Sequence, residues 1–293
     1  MNISTITKRA CTLLLTGLAA LNIDAITFTV DGISYKTIDE KAYTVAVTSG
    51  SSKYAGSVTI PATVAYNNST YKVTAIGSSA FDGCTELESV VVGSNVQEIA
   101  YRAFYGCTSL KTINWSNNIR TYGSLAFSGC TALTTVELSS SLSEMGSDVF
   151  YGCSSITTLT INDGCAIIGS DAFRDCTKLK AVSIPNSVTK LGERAFGGCT
   201  ALTSASIGDG VKLVESTAFD NCTSLESVHV GAKVEEIAYR AFYGCTSLKT
   251  INWSNNIRTY ESLAFSGCTA LTTVELSSSL SEMGSDVFYG CSS

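Results

Sequence analysis

Apolar and polar positions along this chain fall into one unit that recurs every 23 residues. Phenylalanine stands at 81, 104, 127, 150, 173, 196, 219, 242, 265 and 288. Around each, the unit reads I-x-x-x-A-F-x-G-C-T-x-L-x-x-V-x-V-x-x-x-V-x-x. One turn of it is Ile99, Ala103, Phe104, Gly106, Cys107, Thr108, Leu110, Ile113, Trp115 and Ile119. The stretch Leu-x-x-Val-x-Val ends in period-2 alternation, the mark of a short strand that buries alternate side chains. The stretch Ile-x-x-x-Ala-Phe has helical spacing and predicts a helical turn, which Gly106 and its equivalents end.

One strand and one helical piece in 23 residues is the leucine-rich-repeat arrangement. The expected fold is a right-handed α/β solenoid, with a parallel concave sheet and helical turns on the convex side. A single unit cannot bury its apolar positions alone, and stacking makes the core continuous. Nine strands are predicted after Phe81: 88–92, 111–115, 134–138, 157–161, 180–184, 203–207, 226–230, 249–253 and 272–276. "SVTIP" at 57–61 predicts an earlier one, and "AYNNSTYKV" an inserted hairpin. Residues 26–48 alternate, and Asp31-Gly32 is a hairpin turn signal. The expected organisation is therefore a leader over 1–25 and an N-terminal β cap with an irregular first repeat over 26–75. A solenoid of ten units follows over 76–293, the last incomplete. "GCSS" at 290–293 stops halfway through a unit, which reads as a truncated end.

The leader reading rests on Lys8-Arg9 followed by the apolar run "ACTLLLTGLAAL" at 10–21, with Ala25 at the cut. That run is too short to span a membrane. It places the chain outside the cytoplasm, extracellular or on a bacterial outer surface. With 19 Lys+Arg against 25 Asp+Glu, the net charge is −6. No basic cluster accompanies it, so nucleic acid is a poor partner.

Ten of the twelve cysteines lie on the same 23-residue step, from Cys84 to Cys291. Each falls in the run Phe-x-x-Cys-x-x-Leu-x-x-Val among core positions, where cysteine packs as a small hydrophobe. In-register side chains on stacked rungs point in parallel, which favours a ladder of free thiols. An exported chain keeps disulfides open as the alternative. Zinc needs converging ligands, usually as C-x₂₋₄-C pairs, and the chain has none. Cys165 occupies the column of Val96, Ile119, Leu142 and Val188 and reads as core.

An enzyme needs a convergent set of unlike groups. The one histidine, His229, has no partner in a recognisable motif, and G-x-S-x-G, H-E-x-x-H and G-x-x-x-x-G-K-[ST] are all missing from the sequence. No cofactor, metal or catalytic residue is expected. The outward strand positions are more informative. One column is small and mostly hydroxyl-bearing, running from Ser89 to Thr273. Beside it run Asn114, Glu137, Thr160, Ser183, Ser206, His229, Asn252 and Glu275, candidates for a ligand-binding face. Tyr101, Tyr105, Tyr151, Tyr239, Tyr243 and Tyr289 flank the predicted helical turns and are candidate exposed aromatics. Exposed Tyr over Ser/Thr is the composition of binding surfaces, although it also serves simply to solvate a stack. Residues 99–155 and 237–293 match at 56 of 57 positions, Gly123 against Glu261 being the difference.

The units "AFYGCTSLKTI" and "AFGGCTALTSASI" resemble the BspA-type leucine-rich repeats of bacterial surface proteins. "TFTVDGISYKTID", "AGSVTIP" and "YKVTAIGSSAFDGC" resemble the start of such proteins from Bacteroides-like bacteria. The resemblance spans 26–293. It implies a secreted or surface-exposed adhesin, some relatives of which bind extracellular matrix proteins such as fibronectin and fibrinogen. On this reading the chain is a non-enzymatic binding protein for host or neighbouring-cell proteins. A glycan-binding surface protein and a structural surface-layer component are the alternatives.

Overall fold

A computed structural model describes residues 25–291. The expected leader lies almost wholly outside the described residues. Most of the described chain is a β-solenoid of about nine turns, each turn one 23-residue unit.

Two parallel ladders run along it, the first paired in three successive sheets and the second in two. The first holds the strands that the alternating positions predict, beginning with Gly56–Ile60 and Leu87–Val92 and continuing through Thr112–Asn114 to Thr250–Asn252. Its register is a step of 23: Ser183 pairs with Ser206, Ser206 with His229, and His229 with Asn252. Eight of the nine strands expected after Phe81 are present, and so is the earlier one at 57–61. Residues 272–276 form no strand.

The second ladder is made of two-residue rungs that the sequence pattern did not announce. They run from Glu98–Ile99 and Thr121–Tyr122 to Thr259–Tyr260 and Glu282–Met283. Each begins the stretch expected to be helical, and no helix occurs among the described residues. The physical reason lies in the backbone. The residue two before each Phe is left-handed, as at Arg102 (φ 54°), Asp148 (φ 56°) and Asp171 (φ 54°). The position two after Phe is left-handed as well, as at Gly106 (φ 66°). An L-residue in that region breaks a right-handed helix. The turns that result close on themselves by short bonds, such as Cys107 N–H to the Phe104 carbonyl at 3.2 Å. Their remaining N–H groups reach the next unit, as Phe104 N–H does to the Ala126 carbonyl at 2.7 Å. The helical spacing thus marks a third backbone ladder, built from turns.

Inside, every unit contributes the same side chains. Ten phenylalanine rings stack face to face, with centroids 4.7–5.5 Å apart. From Phe81 to Phe265 they are fully buried. Burial of a ring this size is worth about 1.5–3 kcal/mol, and each stacked pair adds roughly 0.5–1.5 kcal/mol. The described cysteines are free, and all but the half-buried Cys291 are buried. Each ladder thiol after Cys84 donates to the carbonyl of the Phe in the preceding unit, as Cys107 does to Phe81 at 3.0 Å and Cys153 to Phe127 at 3.1 Å. Burial pushes the Cys199 and Cys268 thiols up to about 12, which keeps them protonated and able to donate. Cys165 is buried among apolar neighbours, and burial pushes it up to about 11.

Residues 27–76 are built differently. Thr27–Val30, Ile33–Asp39 and Thr44–Thr48 form an antiparallel meander whose first turn is Asp31-Gly32, both at positive φ. A second hairpin, Thr63–Tyr66 with Ser69–Ile76, turns at Asn67-Asn68, again both at positive φ. Ser69–Ile76 then pairs in parallel with Glu98–Ile99, joining the meander to the second ladder. The Tyr54 ring lies 4.6 Å from Phe81, against the first ring of the stack.

Candidate functional site

Strand alternation decides what the first ladder shows to solvent. In Thr112–Asn114 the middle residue, Ile113, is buried, and its neighbours point out. Repeated through the register, this gives an exposed column of Asn114, Glu137, Thr160, Ser183, His229 and Asn252, with Ser206 half-buried in line with them. The hydroxyl column runs beside it: Ser89 is in register with Thr112, Thr135 with Thr158, and Ser204 with Ser227. Glu275 is exposed too, but it sits in the stretch that forms no strand, so the structure does not bring it into this register.

The face carries two shallow grooves. One, of about 600 Å³, is lined by Asn114, Trp115 and Glu137 among others. The other, of about 690 Å³, runs from Leu159 to Asn252 and includes Ser183, Ser206 and His229. Ion pairs join neighbouring units beside the strands, Lys111 to Glu88 at 3.1 Å and Lys249 to Glu226 at 3.3 Å. Their side chains are more than half exposed, so each is worth little in stability.

The six tyrosines divide. Tyr101, Tyr239 and Tyr289 are exposed, Tyr289 most of all at 71%. Tyr105, Tyr151 and Tyr243 are half-buried, against the expectation that all six are free. The cause is arginine. The Arg102 guanidinium lies 4.0 Å above the Tyr105 ring, Arg240 lies 3.7 Å above Tyr243, and Arg174 covers Tyr151 at 5.4 Å. Cation–π attraction holds such pairs together. Arg102 also bridges to Asp82 of the preceding unit at 3.1 Å.

The edge of the second ladder adds charge that strand reasoning passed over. Glu215, Glu236, Glu261 and Glu282 come from four successive units. Burial, followed by Glu261 and the other carboxylates, raises the Glu236 carboxyl above its ordinary value. The Glu261 carboxylate also accepts from Tyr239 N–H at 2.6 Å, a bond that its counterpart Gly123 has no side chain to make. The 23-residue step was the signal: Glu236 and Glu282 lie two steps apart, and so do Glu215 and Glu261. Among the described residues no cluster of His, Cys, Asp and Glu has metal-binding geometry.

The sequence pattern that defines the BspA type leucine-rich repeat region matches residues 63–180 and 166–293, with six copies. The chain belongs to the BspA-type leucine-rich repeat family. Several solved bacterial structures are similar to this BspA-type chain. A leucine-rich cell surface protein from Faecalibacterium prausnitzii is 25% identical, over 91% of this chain and 86% of that one, with a TM-score of 0.54. The pneumococcal vaccine antigen PcpA is 21% identical, over 90% and 79%, with a TM-score of 0.62. A leucine-rich repeat protein from Bacteroides ovatus is 23% identical, over 90% and 92%, with a TM-score of 0.50. The last two speak for the fold alone. No curated protein matches the BspA-type chain. No helix among its described residues is long and apolar enough to cross a membrane.

Proposed function

We propose that this chain is an exported, surface-displayed, non-enzymatic binding protein that holds extracellular proteins against the strand face of its solenoid. The observation that carries this reading is the polar column at the 23-residue step from Asn114 to Asn252, held in register where Glu137 pairs with Thr160 and from Ser183 through to Asn252. A rigid ladder fixes those side chains in advance, so many weak contacts sum with little ordering cost. Membership of the BspA-type family and likeness to a cell surface protein support surface display. Residues 26–75 close the end of the core, with Tyr54 on the first ring of the stack and the two hairpins beyond it.

The test is a binding screen of the full chain against immobilised extracellular proteins, fibronectin and fibrinogen among them, and against glycans. Saturable protein binding that weakens about tenfold or more with Asn114→Arg or Glu137→Arg supports the strand face, since central contacts carry most interface energy. Binding that ignores these changes and is lost with Tyr239→Ala moves the site to the turn edge. Binding to glycans alone overturns the proposal. Surface display is checked by protease treatment of intact cells, and a chain that stays intact until lysis sinks that half.

A further inference from the structure

The later rungs of the strand face differ in chemistry from the earlier ones. In the larger groove the side chains at 181, 183, 204, 206 and 227 are all alanine or serine. The rungs on one side carry the longer Thr135, Glu137 and Asn114 at those positions. These short side chains line the groove together with His229, Thr250 and Asn252, and the buried Ala205 and Val228 lie beneath it. No Asp, Glu, Lys or Arg is among the described residues lining it, and no aromatic ring other than the His229 imidazole. The neighbouring groove, by contrast, holds the Glu137 carboxylate and the Trp115 ring.

We propose that this groove seats an uncharged, extended segment of a partner polypeptide, running along the stack. The proposal rests on the strand-face reading above and narrows it to one stretch and one partner chemistry. Length sets the first constraint. The groove crosses five rungs, which at strand spacing is about 19 Å, the reach of roughly six extended residues. Charge sets the second. A charged side chain laid there leaves its hydration without gaining an ion partner, an unfavourable exchange that neutral residues avoid. Hydrogen bonding sets the third. Serine hydroxyls donate and accept, as does the Asn252 amide, so the lining can answer both the N–H and the C=O groups of a main chain. Small side chains of the segment then fit between the serines, with the buried Ala205 and Val228 beneath them. A sugar ring would find only the His229 imidazole on which to stack.

A randomised peptide library displayed on phage, panned against the full chain, tests this directly. The expected result is a set of peptides free of charged residues in their shared core. Their binding should change less than about twofold between low and high salt, because screening acts on charge. It should fall at least tenfold with Ser183→Arg, an exposed position that leaves the core untouched, and with Ser206→Trp. Circular dichroism checks that both variants keep their strands. Charged or strongly salt-sensitive peptides overturn the proposal, as does binding indifferent to Ser183→Arg, or no enrichment at all. Peptides lost with Glu137→Arg but kept with Ser183→Arg sink this groove and leave the wider strand-face reading standing.

Discussion

At the scale of the residue, two positions of the unit show how a repeated side chain acts. The first is the ladder cysteine. Cys153 is fully buried, and its thiol donates to Phe127 across the unit boundary. Cys153→Ala removes a donor and leaves a small void, so a loss of about 1–2 kcal/mol is expected in urea denaturation. A thiol reagent should leave the buried ladder unmodified in the native chain and label it after unfolding. The second is the left-handed position two after Phe. Gly152 stands there at φ 69°, with open space where a Cβ would go. The chain itself places Asp175 and Asn221 at the equivalent site, at φ 58° and 56°. Gly152→Asn should therefore be nearly neutral, while Gly152→Ala should cost about 1 kcal/mol from backbone strain alone. Equal effects of the two would show that something other than φ decides.

At the scale of the element, the strands were legible because period-2 alternation needs only three or four residues to declare itself. The hairpins were legible too, Asp31-Gly32 and Asn67-Asn68 being residue types that accept positive φ. The helical turn was misread because Ile-x-x-x-Ala-Phe places apolar groups alike in a helical turn and in a compact non-helical one. The distinguishing signal was the residue two before Phe. Asp148, Asp171 and Asp286 tolerate the left-handed region, but Arg102 and Leu125 at the same site hid it. Rungs of two residues, such as Glu98–Ile99, are too short to show any period. The candidate face was legible from register alone, whereas the covering of Tyr105 by Arg102 depends on side-chain placement that spacing does not carry.

The edge of the second ladder yields a pH dependence. Glu236 has its carboxyl raised in the folded state, first by burial and then by its acidic neighbours. Protonation is then easier folded than unfolded. The sign follows: stability falls as pH rises from the ordinary value of 4.5 through the higher folded one, and stays lower above it. Glu236→Gln should flatten the unfolding midpoint across that window and raise it at pH 7. A variant that melts lower at pH 7 would show that Glu236 is held by favourable contacts instead.

At the scale of the whole molecule, the near-identity of 99–155 and 237–293 offers an internal control. Deleting residues 99–236 joins Glu98 to Ile237 and removes six whole units, and the seam keeps the native order of side chains. In a stack where each unit touches only its neighbours, the shortened chain should fold. Its denaturant sensitivity, which scales with the surface exposed on unfolding, should drop to roughly half. A product that aggregates or lacks a cooperative transition would mean that long-range features matter beyond neighbour contacts. The two copies also repeat their surfaces, Arg240 over Tyr243 matching Arg102 over Tyr105, so a partner with spaced sites meets the same chemistry twice.

The uniform step of 23 residues also has a mechanical meaning. Pulled apart by its ends, a stack of near-equal layers gives way one layer at a time, like a strip of perforated paper. Each layer that yields exchanges a rise of about 5 Å for a slack thread of roughly 75–80 Å. A chain held at one end on a moving surface would then lengthen in even steps under load while the layers still in place kept their grip.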